Sequence, residues 1–179
     1  MSNSLRDKVL VVTGASSGIG RSIALESASR GATVILMARH QDKLEEIANE
    51  ARQLSGNEVY VFPTDISKAD QIDRAFNEIV SHVDHIDYLV NAAGFGVFKE
   101  FLETSPQVVT EMFQTNVLGL MYFTRLVARV MIDQKQGQII NFGSIAGIVP
   151  TTKTAAYSAT KAAIIQFSNV LRLELKPFG

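Results

Sequence analysis

Tyr157 and Lys161, in Tyr157-Ser158-Ala159-Thr160-Lys161, set a phenol and an ammonium four positions apart. On a helix that spacing places both on one face, about 6 Å apart at the β-carbons. A phenol with a reference pKa of about 10 exchanges protons poorly near neutrality, and a neighbouring cation favours the phenolate. The pair can therefore serve as a proton-transfer unit, although in isolation a partly buried aromatic beside a surface lysine is the plainer reading. Thirteen positions before Tyr157, Ser144 closes Asn141-Phe142-Gly143-Ser144 and offers a hydroxyl able to hydrogen-bond a carbonyl oxygen.

A second constellation lies near the start of the chain. Thr13-Gly14-Ala15-Ser16-Ser17-Gly18-Ile19-Gly20 joins a short apolar run to a helical pattern. Gly14 permits a tight turn, Gly18 lets the backbone approach a pyrophosphate, and Gly20 lets the helix pack close to a sheet. The helix N-terminus adds free N–H groups and a positive dipole end. The glycine spacing is G-x3-G-x-G, not the general G-x-G-x-x-G. About twenty residues on, where a carboxylate would bind a ribose 2′-hydroxyl, stand Ala38, Arg39 and His40. Arg39 can instead meet a 2′-phosphate as a planar, charge-assisted donor; the alternative is an ordinary solvated arginine.

The elements that must hold these groups alternate. Val9–Thr13, Thr33–Met37, Glu58–Phe62, Tyr88–Asn91 and Gln138–Phe142 read as strands, continuously apolar as expected of a parallel sheet covered on both faces. Helices are expected over Gly18–Arg30, ending at Gly31, over Gln41–Leu54, ending near Gly56, and from a Ser67 cap to about His82. Ser105-Pro106 opens a long helix to about Gln134, and Thr152–Lys176 carries the last one. The result is one α/β domain over residues 1–179, a doubly wound, Rossmann-like parallel sheet whose ligands sit beyond the carboxyl ends of the strands.

Composition narrows the function classes. A net charge of -1 leaves no basic field suited to nucleic acid or an anionic membrane. The absence of cysteine excludes disulfides, thiolate metal sites and cysteine nucleophiles. His82-Val83-Asp84-His85 reads as a solvated loop at the amino end of a strand, so no metal is expected. No signal region or apolar span of about 20 residues opens the chain, and a cytoplasmic protein without a membrane partner is the expectation.

Taken together, the Gly14–Gly20 loop, Asn91-Ala92-Ala93-Gly94 after the fourth strand, Asn116, Ser144, Tyr157 and Lys161 resemble the short-chain dehydrogenases/reductases, from about Asp7 to the end of the chain. The resemblance implies NADP(H) as cofactor and a small-molecule carbonyl or secondary alcohol as substrate. It makes Tyr157 the general acid/base, has Ser144 polarise the carbonyl, and has Lys161 tune Tyr157 and hold the nicotinamide ribose. Asn116 would hold a water that relays protons to Lys161. Asp65, in Thr64-Asp65-Ile66, would contact the adenine, and Asn91, Ala92, Ala93 and Gly94 would line the cofactor site; a helix cap at Asp65 and a core amide at Asn116 are the plainer readings. A homo-oligomer through helices 106–134 and 152–176 is implied, and Phe95, Val97, Phe98, Ile145, Ile148 and Val149 suggest a largely apolar substrate, with core or interface positions the equal alternative. The pattern also implies a sixth strand and a substrate segment beyond residue 179, so the sheet is expected to be truncated, with strand five an open edge. A non-catalytic dinucleotide-binding module or inactive fragment is the competing function class.

Overall fold

The computed structural model describes residues 5–179. Five strands, β1 (Val9–Thr13), β2 (Thr33–Ala38), β3 (Val59–Pro63), β4 (Tyr88–Asn91) and β5 (Gln138–Asn141), form one sheet in the order β3-β2-β1-β4-β5. Every pairing is parallel. The crossovers are helical: α1 (Gly18–Ser29), α2 (Gln41–Ser55), α3 (Ala69–His82), α4 (Pro106–Phe113) and α5 (Leu120–Gln134), with α6 (Ala155–Leu175) after β5. This is the doubly wound, Rossmann-like α/β fold that the alternating pattern predicts.

Side chains two apart along a strand share a face, and the core divides accordingly. Leu10, Val12, Val34 and Leu36 pack with Ala24, Ala28, Leu44, Ile47 and Ala48 of α1 and α2. Val9, Val11, Ile35, Met37 and Leu89 pack on the other face with Ile72, Ile79, Phe123, Val127 and Met131 of α3 and α5. Burial on both faces is why β1 and β2 read as unbroken apolar runs.

Several element ends shift by one residue from the sequence reading, and three differences go further. The expected single helix over 106–134 contains a π-helical stretch, Gln114–Gly119, between α4 and α5. There Gly119 lies against the Ile66 carbonyl, which a β-carbon would strike, while the Asn116 side chain is drawn to the Phe95 backbone. A wider turn accommodates both constraints. Ser67 does not cap α3; its N–H and Oγ donate to Asp65 Oδ1 at 3.0 and 2.7 Å, and the helix begins at Ala69. The Asp65 carboxylate outcompetes the helix for that hydroxyl. Finally, α6 starts at Ala155 because Lys153, at φ 65°, puts a left-handed turn ahead of it. The caps at Gly56, left-handed with its N–H on Arg52 O, and at Ser105, whose Oγ accepts from Val108 N, follow the sequence reading.

Candidate active site

The carboxyl ends of β1, β2, β3 and β4 open onto a cleft of about 330 Å³. Gly14 and the Ser16–Gly20 turn form one wall, with Ala38, Arg39 and His40 at the end of β2, Asp65 and Ile66 after β3, and Ala92, Ala93 and Gly94 after β4. Two strand ends meet at Gly14. It holds φ 68°, and a β-carbon there would lie 2.6 Å from Ala93 N. Glycine is required on both counts, by conformation and by space. Gly18, at φ 53°, has nothing within 4 Å of where a β-carbon would stand, so the start of α1 lies open on that side. Ala93 N donates to Thr13 Oγ1 at 3.2 Å, locking the β4 loop to the end of β1.

A dinucleotide fits this cradle. The bare Gly14–Gly20 backbone at the N-terminus of α1 suits a pyrophosphate. Arg39 is exposed at the rim and makes no ion pair among the described residues, which leaves its guanidinium available to a phosphate. Asp65 uses Oδ1 to order Ser67, while its backbone N–H donates to Gln71 Oε1 at 2.8 Å. The carboxylate thus shapes the turn and also faces the cleft.

Asn91 lies beneath the cleft and does not line it. It is 2% exposed, and its Nδ2 donates to Thr124 Oγ1 and to Asn141 Oδ1, each at 2.9 Å. Asn141 Nδ2 in turn donates to Ser168 Oγ at 2.9 Å, so a polar chain runs from α5 through β4 and β5 to α6. That chain fixes the helix carrying Tyr157 against the sheet.

The proton-transfer candidates gather beside the cleft, at the end of β5 and on α6. Lys161 reaches over the helix edge to donate from Nζ to the Phe142 carbonyl at 2.7 Å, and the same Nζ lies 5.8 Å from the centre of the Tyr157 ring. Burial lowers the Lys161 pKa from its ordinary value of 10.5 by penalising the charged form. Ser144 Oγ accepts from Ala146 N at 3.2 Å, which leaves its hydroxyl proton free to donate. The turn after Ser144 sits directly on α6, since a β-carbon at Gly147 would come within 2.8 Å of Lys161 C and Ala162 N.

Asn116 connects the two parts. Its Oδ1 accepts from Phe95 N at 3.0 Å and its Nδ2 donates to Phe95 O at 2.8 Å and to Thr160 Oγ1 at 3.2 Å. Thr160, fully buried on α6, donates back to the Tyr157 carbonyl at 2.7 Å. The amide is thereby a clamp between the cleft wall and the helix of Tyr157. Phe95, read from sequence as an apolar residue near the site, lines the cleft, and Met37, Thr64 and Thr115 line it without having been singled out by sequence reasoning. Thr64 and Thr115 each adjoin a chosen residue, Asp65 and Asn116, and that adjacency was the available signal.

Known proteins can now be set against this geometry. Over residues 8–179 the chain matches the family model described as short chain dehydrogenase. It is 35% identical over 173 residues to 11-beta-hydroxysteroid dehydrogenase-like 2 of Arabidopsis thaliana, covering 95% of this chain and 55% of that protein. Among solved structures, NAD+-bound xylitol dehydrogenase superposes with a TM-score of 0.93 at 30% identity, covering 98% of this chain and 67% of that one. A metagenomic short-chain oxidoreductase in complex with NADP does so with a TM-score of 0.93 at 34% identity, covering 98% and 80%. The chain spans about half the length of the curated relatives it matches. Similar proteins thus bind both forms of the dinucleotide, while sequence and fold agree that this chain belongs to the short-chain dehydrogenase family of oxidoreductases.

Proposed function

We propose that this chain transfers hydride between NADP(H) and a carbonyl or secondary alcohol, acting as one cofactor-binding and catalytic domain. The observation that carries the reading is the placement of Tyr157 and Lys161 at the same sheet edge as a glycine-walled cleft rimmed by Arg39. Ser16, Ser17, Gly18 and Ile19 present the pyrophosphate turn, Arg39 takes the 2′-phosphate, and Asp65 with Ile66 borders the adenine end. Ala92, Ala93 and Gly94 line the middle of the cofactor site, and Asn91 supports it from below. When bound, NADPH would supply the hydride to the carbonyl carbon and would itself be left as NADP+.

The protein supplies the rest. Ser144 donates a hydrogen bond to the carbonyl oxygen, and Tyr157 delivers the proton that makes it a hydroxyl. Lys161, charged and close to the ring, stabilises the negative charge that develops on the phenol oxygen as its proton leaves, and a proton from solvent restores the phenol for the next cycle. Asn116, whose side chain clamps Phe95 to Thr160, would hold the water that relays protons to Lys161. Exposed Leu118, Met121, Val170 and Leu173 on the 106–134 and 152–176 helices support assembly as a homo-oligomer through them.

Fluorescence titration with NADPH and NADH, followed by NADPH oxidation on adding a ketone, tests the reading. NADPH is expected to bind at least tenfold more tightly and to be oxidised. Equal or tighter NADH binding would overturn the choice of cofactor, and binding without turnover on any carbonyl would overturn the enzyme.

A further inference from the structure

The segment Gly96-Val97-Phe98, which follows the cleft wall, touches the Tyr157 ring itself. A β-carbon at Gly96 would lie 2.9 Å from Tyr157 Cδ2 and 3.1 Å from Phe98 Cζ. No unusual φ calls for glycine there, so the requirement is one of space: the backbone is the seat against which the ring rests. Phe98 leans on the same ring with centroids 5.5 Å apart and planes at 60°, an arrangement aromatic pairs favour. Yet 63% of Phe98 remains exposed beside the phenol.

The turn that follows Ser144 also exposes hydrocarbon. Ile145 and Ile148 follow Ser144, and each is about 70% exposed, at 71% and 69%. Their turn is fixed on α6 through the contact of Gly147 with Lys161 and Ala162. A carbonyl bonded by both Ser144 and Tyr157 would lie beside Phe98, which packs on the phenol ring, and beside Ile145, which follows the serine. None of these apolar residues offers a charged side chain, and burying hydroxyl groups there without partners would be costly.

Resting on the reductase reading, we infer that Phe98, with Ile145 and Ile148, selects ketones and secondary alcohols whose bulk is hydrocarbon over polyhydroxylated ones, and that Gly96 is the positioning residue that aims Tyr157. The two halves of the inference separate kinetically. Phe98 acts through substrate burial and so mainly on KM, while Gly96 acts on the angle of the phenol and so on kcat.

The test uses the protein as its gene encodes it, with 2-decalone as the apolar ketone and dihydroxyacetone as the hydroxylated one. The unmodified protein is expected to favour 2-decalone at least tenfold in kcat/KM. Phe98→Ala should lower kcat/KM for 2-decalone about tenfold, mostly through KM, while leaving dihydroxyacetone within about threefold. Calorimetry should show the same loss in binding of the alcohol product, 2-decalol. Gly96→Ala should lower kcat about 100-fold for both ketones, with KM and NADPH affinity within about threefold. A preference for dihydroxyacetone, or an equal effect of Phe98→Ala on both ketones, would overturn the specificity claim, and an unchanged kcat in Gly96→Ala would overturn the positioning claim. If NADPH binds but neither ketone is reduced, the reductase reading itself falls and this inference falls with it.

Discussion

β1 is buried along all five residues and β2 along five of six, whereas none of the four residues of β5 is buried and α6 buries only Thr160 and Ile164 of its 21. The cleft grows out of the first region, while Ser144, Tyr157 and Lys161 belong to the second. On the β1–β2 side the positions of Gly14 and Arg39 follow from the core itself: shift the strand ends and apolar packing on two faces is lost. On the β5–α6 side position depends on a few polar ties, chiefly Lys161 to Phe142 O, Asn116 to Thr160 and Asn141 to Ser168. The glycine turn should therefore fail only together with the fold, and proton transfer should be removable without touching either cofactor binding or stability.

The most severe way to break this division is at Gly14. Gly14→Val would force a β-branched residue to φ 68° and into Ala93 N, 2.6 Å from where its β-carbon must stand. Stability is expected to fall by about 2–4 kcal/mol, read as a lower denaturation midpoint, together with loss of measurable NADPH binding. Binding lost with stability intact would show that the loop is independent of the core.

A gentler substitution sharpens the contrast within the cleft. Arg39→Asp removes the phosphate partner and installs a carboxylate where a ribose hydroxyl can be met. NADPH affinity should fall 10- to 100-fold and NADH should become the preferred cofactor, with an unchanged denaturation midpoint because the side chain is exposed.

The smallest effect concerns Lys161 and pH. Burial lowers its pKa in the folded protein below the 10.5 of the unfolded chain. Between the lowered value and 10.5 the unfolded chain binds more protons, so stability rises with pH in that window and the cost of burying the charge is fully present below it. Lys161→Met should thus unfold at a higher urea concentration than the parent at pH 7, with the gap narrowing as pH approaches 10.5. A gap that is constant with pH would remove desolvation as the cause.

The legibility of the chain divides along the same line. The strands and the alternating α/β pattern could be read from sequence because they depend on local pattern: an apolar run, a glycine turn, a helix. Asn116 could be chosen but its engagement could not, since it depends on the Phe95 backbone twenty-one residues away meeting a widened helical turn. Ser67 was misread as a cap because the competing acceptor, Asp65, matches the same local signature. Phe98 was visible only as one of several apolar residues, and Gly96 carried no signal, because the reason for both is a ring that arrives from α6, far along the chain.

Tyr157→Phe tests the central claim most directly, because it removes one oxygen from the exposed region and nothing from the buried one. NADPH affinity and the single-turnover rate of NADPH oxidation with a ketone would be measured on the same preparation. The account predicts an affinity within about twofold of the parent and a rate lower by about 1,000-fold, within the range that a positioned proton donor contributes. Turnover within a few-fold of the parent would contradict it, and would mean that a group other than Tyr157 delivers the proton.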